Sequence, residues 1–324
     1  MSTVRIVATD IGNGFSKGCS STATAIFPSV IGQAVETDFE GLAGRDGMVI
    51  QPDGLEPYFV GNLARRMSRF KSAVLDRSRI GSPFYRVLFE TMLTRLCKQR
   101  AELRVVLQLP VGWYSDRQEL DTLIGEHRGT INGRQYIYHV DKLLVTPDGF
   151  GALCSAMLNQ RCRIKDQALA EGRVGVIDLG SRTTNLSLYD SMTFIPTASE
   201  SVDTGLVKLW QAVHEDLSRR FQVDWSLHEV DEAIRRGGVQ VAGKFHAIDA
   251  EPHATAMAEE LRGHAQTMWG LGLKLDRILL AGGGCGVPRL VEALTSLMPH
   301  ARPVAEPVMA NAVGGFRFGC LEVW

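Results

Sequence analysis

Paired cysteines are missing from this sequence. The six present, Cys19, Cys97, Cys154, Cys162, Cys285 and Cys320, form no Cys-x-x-Cys pair and no cluster with histidine at metal-ligand spacing. Zinc-ribbon and iron–sulfur readings therefore fall away; reduced thiols are expected, with a single bridge left open. An excess of either charge is missing too. Lys and Arg number 35 against 36 Asp and Glu, a formal net charge of -1, so no global field draws in a polyanion and direct nucleic-acid binding is not expected. The basic stretches Arg65–Lys71 and Arg77–Arg79 read as solvated faces. No apolar run reaches the ~18 residues that cross a bilayer, and the opening Met1–Asp10 has no basic segment followed by an apolar one. The expectation is a cytoplasmic, unexported protein without a membrane partner.

What is present is 45% hydrophobic and 22% charged residues in 324, enough apolar material for two cores. Val4–Thr9 is a β-branched strand running into Asp10-Ile11-Gly12-Asn13-Gly14, and Asn-Gly between apolar flanks predicts a tight hairpin. Ala25–Ser29 reads as a further strand, and Gly32–Arg79 as a small irregular insert. Ser82-Pro83 starts a helix carrying Phe84, Leu88, Met92 and Leu96, which feeds a strand at Leu103–Leu109. A helix is expected at Asp116–His127, a turn at Ile131–Arg134, strand at Tyr136–Val145, and a buried connecting helix at Gly149–Ala168. Strands then follow at Val174–Asp178, Thr184–Tyr189 and Thr193–Pro196, and helices at Leu206–Phe221, Ser226–Arg236 and Ala254–Leu273. Strand Arg277–Ala281, helix Pro288–Leu297 and a last helix from about Met309 complete the pattern.

Two of these elements repeat. Val7-Ala8-Thr9-Asp10-Ile11-Gly12 and Gly175-Val176-Ile177-Asp178-Leu179-Gly180 are both apolar strands ending in Asp, an aliphatic residue and Gly, and both are followed by a small or polar turn and a return strand. Such a repeat implies two similar lobes. Polyphosphate binding is the chemistry that uses the pair. Gly12, Gly14 and Gly180 let backbone N–H groups approach phosphate oxygens. Asp10 and Asp178 beside phosphate make sense with Mg²⁺ between them, held largely through water. Lys17 supplies a cation on the return strand, and Ser16, Thr183 and Thr184 supply hydroxyls. A third element, Ile278–Ala281 followed by Gly282-Gly283-Gly284-Cys285-Gly286 and a helix, offers glycines against which a base or ribose can lie. It lacks the Gly-Lys-Ser/Thr of a Walker A loop and does not match the dinucleotide fingerprint.

In this order the motifs resemble the sugar kinase, Hsp70 and actin superfamily. Asp10–Lys17 matches a first phosphate turn, Asp178–Thr184 a second, Gly282–Gly284 an adenosine turn, and Ala310–Gly315 a closing small-residue helix. Within it the chain looks most like the ParM/StbA plasmid-segregation actins and their archaeal relatives, through Asp10–Lys17, Phe27-Pro28-Ser29, Asp178–Thr184 and Ala310-Asn311-Ala312. The resemblance implies an α/β fold, two-lobed and actin-like (ribonuclease H-like), with a nucleotide cleft between the lobes. Residues 1–148 would form the first domain, with the insert at about 32–79 and the terminal helix 310–324 packing back on it; residues 149–309 would form the second. It implies an ATPase that binds ATP or GTP with Mg²⁺, polymerises with itself, and drives plasmid partition through a DNA-binding adaptor.

Cofactor contacts are implied at Gly12, Asn13, Gly14, Phe15, Ser16, Lys17, Gly180, Ser181, Arg182, Thr183, Thr184, Gly282, Gly283 and Gly284, with Mg²⁺ at Asp10 and Asp178. Asp148 takes the family position that orients the attacking water; by its place before Phe150 it is equally a helix cap, and both roles stay open. Asn185 departs from the Asp or Glu that many relatives carry after the second turn. The alternatives are a small-molecule kinase or activator ATPase of the same fold, and a non-hydrolysing scaffold.

Overall fold

The structure, a computed structural model, describes residues 4–35, 47–68, 71–72, 77–270, 274–321 and 324. The chain divides into two compact units, Met1–Lys165 with Asn311–Trp324, and Asp166–Ala310. The division falls at Lys165/Asp166 and within the last helix, not at 148/149.

The first unit contains strands β1 (Arg5–Ile11), β2 (Phe15–Ser20), β3 (Thr24–Pro28), β4 (Ile31–Gln33), β5 (Met48–Pro52) and β6 (Tyr58–Val60), helix α1 (Asn62–Met67), strand β7 (Lys71–Ser72) and helix α2 (Pro83–Leu96). Strands β8 (Arg100–Leu109), β9 (Gly125–Ile131) and β10 (Arg134–Pro147) and helix α3 (Phe150–Met157) follow. Ten strands form one sheet in the order β3-β2-β1-β8-β10-β9-β5-β6-β4-β7. β1 and β10 run parallel to β8. Helix α2 starts where Ser82 Oγ accepts from the Tyr85 amide at 3.3 Å and buries Tyr85, Leu88, Phe89, Met92 and Leu93 in the unit's main core, with Leu103, Val105 and Leu107 of β8. Each such side chain contributes about 1.5–3 kcal/mol.

Three sequence expectations are corrected here. The stretch expected as a helix over Asp116–His127 is a run of 3₁₀ turns over Val111–Leu123, after which His127 enters β9. There its ring meets Glu90 of α2 at 2.9 Å, a partner 37 residues away. The connecting helix expected over Gly149–Ala168 stops at Met157. Asn159 Oδ1 accepts from the Arg161 and Arg163 amides at 2.8 and 3.2 Å, and Arg317 donates to the carbonyls of Ser155 and Leu158 at 2.8 and 3.0 Å, closing the last turn of α3 from the far end of the chain. The insert read as irregular contributes strands β4–β7 and helix α1 in its described part; residues 36–46, 69–70 and 73–76 of it lie outside the described residues. Its strands are too short for periodicity to register. The turn at Asn132-Gly133 forms as expected, with φ of 47° and 73°.

The second unit contains α4 (Gln167–Glu171), β11 (Arg173–Leu179), β12 (Thr184–Asp190), β13 (Thr193–Phe194), β14 (Glu200–Val202), α5 (Leu206–Phe221), α6 (Leu227–Arg236), β15 (Gly238–Val241), β16 (Lys244–Ala247), α7 (Glu251–Trp269), β17 (Arg277–Ala281), α8 (Pro288–Leu297) and β18 (Ala301–Pro303). The final helix, α9 (Ala310–Gly319), returns the chain to the first unit. Strands β13-β12-β11-β17-β18, with β14 on β12, make a six-stranded sheet. Its core takes Leu206, Leu209, Val213 and Leu217 from α5, Met257 and Leu261 from α7, and Leu290 and Leu294 from α8. That spacing of three and four is what an amphipathic helix presents to a sheet. Ser226 caps α6 in a complete capping box with Glu229. Residues 271–273, the end of the helix expected over Ala254–Leu273, lie outside the described residues.

Candidate functional site

The repeated hairpins have matching registers. In the first unit Asp10 pairs with Lys17 and Ile11 with Ser16 across β1 and β2; in the second Asp178 pairs with Asn185 and Leu179 with Thr184 across β11 and β12. Each Asp is next to last in its strand, and a parallel neighbour runs beside it: β8 places Gln108 next to Asp10, and β17 places Ala281 next to Asp178. Both carboxylates are buried, Asp10 at 5% exposure and Asp178 at 6%.

In the first unit, residues directly opposite in an antiparallel pair share a face of the sheet, so Lys17 reaches Asp10, Nζ to Oδ2 at 3.0 Å. Its ammonium, expected to meet phosphate, is here paired with this buried carboxylate. Ser16 Oγ lies 2.9 Å from Ser29 Oγ, and the Ser29 amide donates to the Gly14 carbonyl at 3.0 Å, so the turn is tied to the end of β3. At Gly12 a Cβ would stand 2.8 Å from the Phe15 carbonyl oxygen; this turn closes only around glycine. The Phe15 ring lies beneath the Arg65 guanidinium, 5.7 Å from its centroid.

Asp148 leaves β10, whose Thr146 and Pro147 pair with Gln108 and Leu109 of β8, and its amide donates to the Leu109 carbonyl at 2.7 Å. The strand order therefore delivers Asp10, Gln108 and Asp148 to one end of the sheet. The cap position of α3 is Gly149, at φ 94°, a residue with no side chain to bond the first amides. Asn311 Oδ1 of α9 accepts from the Gly149 and Ala152 amides at 3.3 and 3.1 Å. Asn311 thus holds two of the first amides of α3. Gln108 Nε2 in turn donates to the Asn311 carbonyl at 2.5 Å. Close approach of α9 to α3 needs glycine on both: a Cβ on Gly314 would lie 1.7 Å from the Gly151 carbonyl oxygen, and one on Gly151 would lie 2.2 Å from that of Asn311.

In the second unit, the turn Gly180–Thr183 is held by the start of α5. The Leu206 and Val207 amides donate to the carbonyls of Gly180 and Ser181 at 3.1 and 2.8 Å, and Thr184 Oγ1 donates to the Thr204 carbonyl at 2.6 Å. Lys208 bonds Glu260 of α7 at 2.7 Å and Thr204 Oγ1 at 3.1 Å. Burial pushes the Glu260 carboxyl upward, but its bonds from Lys208 and Thr204 outweigh this and hold it below the usual carboxylate range.

The glycine turn after β17 packs directly on Asp178. A Cβ at Gly282, whose φ is 89°, would fall 2.3 Å from Asp178 Oδ1 and 2.6 Å from the Leu179 carbonyl oxygen, and one at Gly284 2.5 Å from Leu179 Cβ. Gly282→Ala is therefore expected to destabilise the second unit by about 1–3 kcal/mol, read as a lower urea midpoint; an unchanged midpoint would show that Asp178 can move aside freely. Burial first, and the Asp178 charge second, push the neighbouring Cys285 thiol up to about 12, which leaves it an inert packing group.

Several partners of the expected site residues had no signal in the sequence. Arg235 of α6 grips Asp231 through Nε at 3.0 Å to both oxygens and reaches the Gly283 carbonyl at 3.5 Å, so that the adenosine-type turn carries a guanidinium. Arg235 and Asp231, at i and i+4 on a helix, look like any exposed ion pair. Gln108 and Asn311 are single amides distant in sequence, and no local pattern joins them.

Comparison with known proteins finds a separate match in each half of the chain. Residues 8–151 match the family model described as the N-terminal domain of actin-like proteins, and residues 176–292 match the C-terminal domain of the archaeal actin homologue MreB-like family. A ParM from a 15-stranded filament of Clostridium botulinum is 20% identical, with 98% of this chain and 99% of that one covered at a TM-score of 0.79. The archaeal actin homologue Ta0583 is 19% identical over 99% of this chain and 100% of that one, with a TM-score of 0.84. Its complex with ADP is 19% identical over 98% and 99%, at 0.81. A search of curated protein sequences found no match. Two family models covering both halves and the shared fold place this chain among the actin-like proteins.

Proposed function

We propose that this chain is a nucleotide-dependent, filament-forming ATPase in which Asp10 and Gly12–Lys17 of the first unit and Asp178 and Gly180–Thr184 of the second take the phosphates of one Mg²⁺-bound nucleoside triphosphate. Gly282–Gly284 would meet its nucleoside. The observation that carries this reading is the repeated hairpin, with a buried Asp at the same register beside a parallel strand in both units. Support comes also from relatives: one was solved with ADP and another as a filament.

The residues present fit magnesium held mainly through water. Mg²⁺ uses one or two carboxylates plus phosphate oxygens, and among the described residues no group of three or more His, Cys, Asp or Glu forms a closed cation cage. The bound ion would neutralise charge on the phosphates. Lys17, on the Asp10 carboxylate at 3.0 Å, would turn to a phosphate oxygen, so nucleotide binding would exchange one anion for another. Asp148, at the family position before α3, would hold the attacking water in line.

By family analogy the filament moves DNA in the cytoplasm through an adaptor protein, without touching DNA or membrane itself. Sedimentation with and without Mg-ATP, Mg-GTP and a non-hydrolysable analogue, with phosphate release followed on the same samples, tests the reading. Triphosphate-dependent pelleting is expected. Turnover that appears only with a small acceptor would move the assignment to a kinase. Asp148→Ala is expected to keep nucleotide binding and slow phosphate release by about 10²-fold; unchanged release would remove Asp148 from the mechanism.

A further inference from the structure

The foot of the first unit holds a pocket of about 670 Å³, at the opposite end of β1 from Asp10. The start of β1, the β2–β3 turn, the last residues of α2 and the last turn of α9 form its walls. Its apolar side chains include Ile6, Leu96 and Phe316, and three cations line it: Arg5, Arg95 and Lys98. No carboxylate among the described residues pairs with any of the three. Arg95 and Lys98 stand at the C-terminal end of α2, where cations suit the helix dipole, but Arg5 comes from a separate strand and has no such reason to be there. In a protein of net charge -1, three cations around one apolar hollow, with no carboxylate partner among the described residues, form a local field for anions.

The chain beside the pocket favours an extended occupant. Ala23 lines it, and Thr24, the next residue, opens β3, which is the edge strand of the ten-stranded sheet. Ile26 of β3 is 49% exposed. An edge strand presents unpaired backbone groups to which another extended chain can add, and the turn leading into β3 is itself part of the pocket wall. Nucleic acid is less well matched, because stacking or phosphate tracking needs a longer row of cations and exposed aromatic rings.

We propose that this pocket and the adjoining edge of β3 dock an extended segment of a partner protein in which acidic residues flank one large apolar side chain. The apolar group fills the hollow, the carboxylates meet Arg5, Arg95 and Lys98, and the backbone adds to β3. The site is separate from the proposed nucleotide residues.

Fluorescence polarisation on the full chain tests this, using labelled peptides of about ten residues with aspartates on both sides of a leucine or phenylalanine. Partner peptides carrying lysine in place of aspartate, and a duplex oligonucleotide, serve as the other arms. The acidic peptides are expected to bind in a salt-sensitive manner, and Arg95→Glu with Lys98→Glu to weaken them at least about tenfold, with phosphate release unchanged. Both positions are exposed, so folding is expected to be retained, and melting temperature checks it. Equal binding of the lysine peptides, indifference to charge reversal, or no acidic peptide binding at about 1 mM overturns the proposal. Binding of the duplex at these cations in preference to the peptides overturns it in favour of nucleic acid.

Discussion

Glu90→Ala is expected to cost the first unit about 3–5 kcal/mol, the range for breaking a buried ionic network by removing one partner. Glu90 is completely buried in α2. It accepts from Arg86 Nε at 2.7 Å, from His127 Nδ1 at 2.9 Å and from the Tyr136 hydroxyl. The other ring nitrogen of His127 lies 2.8 Å from the Leu123 carbonyl. This one carboxylate joins α2 to β9 and β10, and its loss leaves His127 Nδ1 and the Tyr136 hydroxyl in the core without their acceptor. Burial pushes the Glu90 carboxyl upward, but the bonds from His127, Tyr136 and Arg86 prevail and hold it below the ordinary carboxylate range. A depressed folded value means stability that is fully present above the unfolded value of about 4.3 and is lost as pH falls through the folded one. Part of the mutational effect is therefore expected on acidification of the wild type and not of Glu90→Gln. Urea unfolding of wild type, Glu90→Ala and Glu90→Gln gives the measurement; a loss under about 1 kcal/mol in Glu90→Ala would show that the network contributes little.

Asp178→Ala is expected to reduce Mg²⁺-dependent phosphate release by at least about 100-fold, and Asp178→Asn, which preserves its packing against Gly282, by a similar factor. Comparing the two separates charge from packing, because Gly282 lies so close to this side chain that the alanine variant also loses packing there. If the aspartate holds the ion, the asparagine variant should melt like wild type yet fail to gain stability from Mg-nucleotide. Turnover within about threefold of wild type in Asp178→Asn would remove Asp178 from the metal site. Combining it with Asp10→Asn tests the claim that both act on one triphosphate: coupled sites give a double variant little worse than either single one.

The hairpins bearing Asp10 and Asp178 were legible because their signals are local. An apolar strand, an Asp and a glycine turn declare themselves within about ten residues, and β1, β2, β11 and β12 fall where expected. Helices α5 and α8 and strand β17 were legible for the same reason. Long-range partners set the errors. His127 is a strand residue because Glu90 is waiting for it, and α3 ends early because Arg317 takes its last carbonyls. Within the candidate site, residue types and positions could be read, but the Lys17–Asp10 pair and the Arg235 contact to Gly283 depend on which strands and helices become neighbours.

Because the first unit is made of two chain segments, 1–165 and 311–324, it cannot be completed in the order in which it is synthesised. The ribosome must add the 145 residues from Asp166 to Ala310 before Asn311 exists to receive the Gly149 and Ala152 amides, a wait of roughly 7–30 s at ordinary elongation rates. Throughout that interval the nascent N-terminal sheet lacks α9, while the uninterrupted second unit has all its residues first.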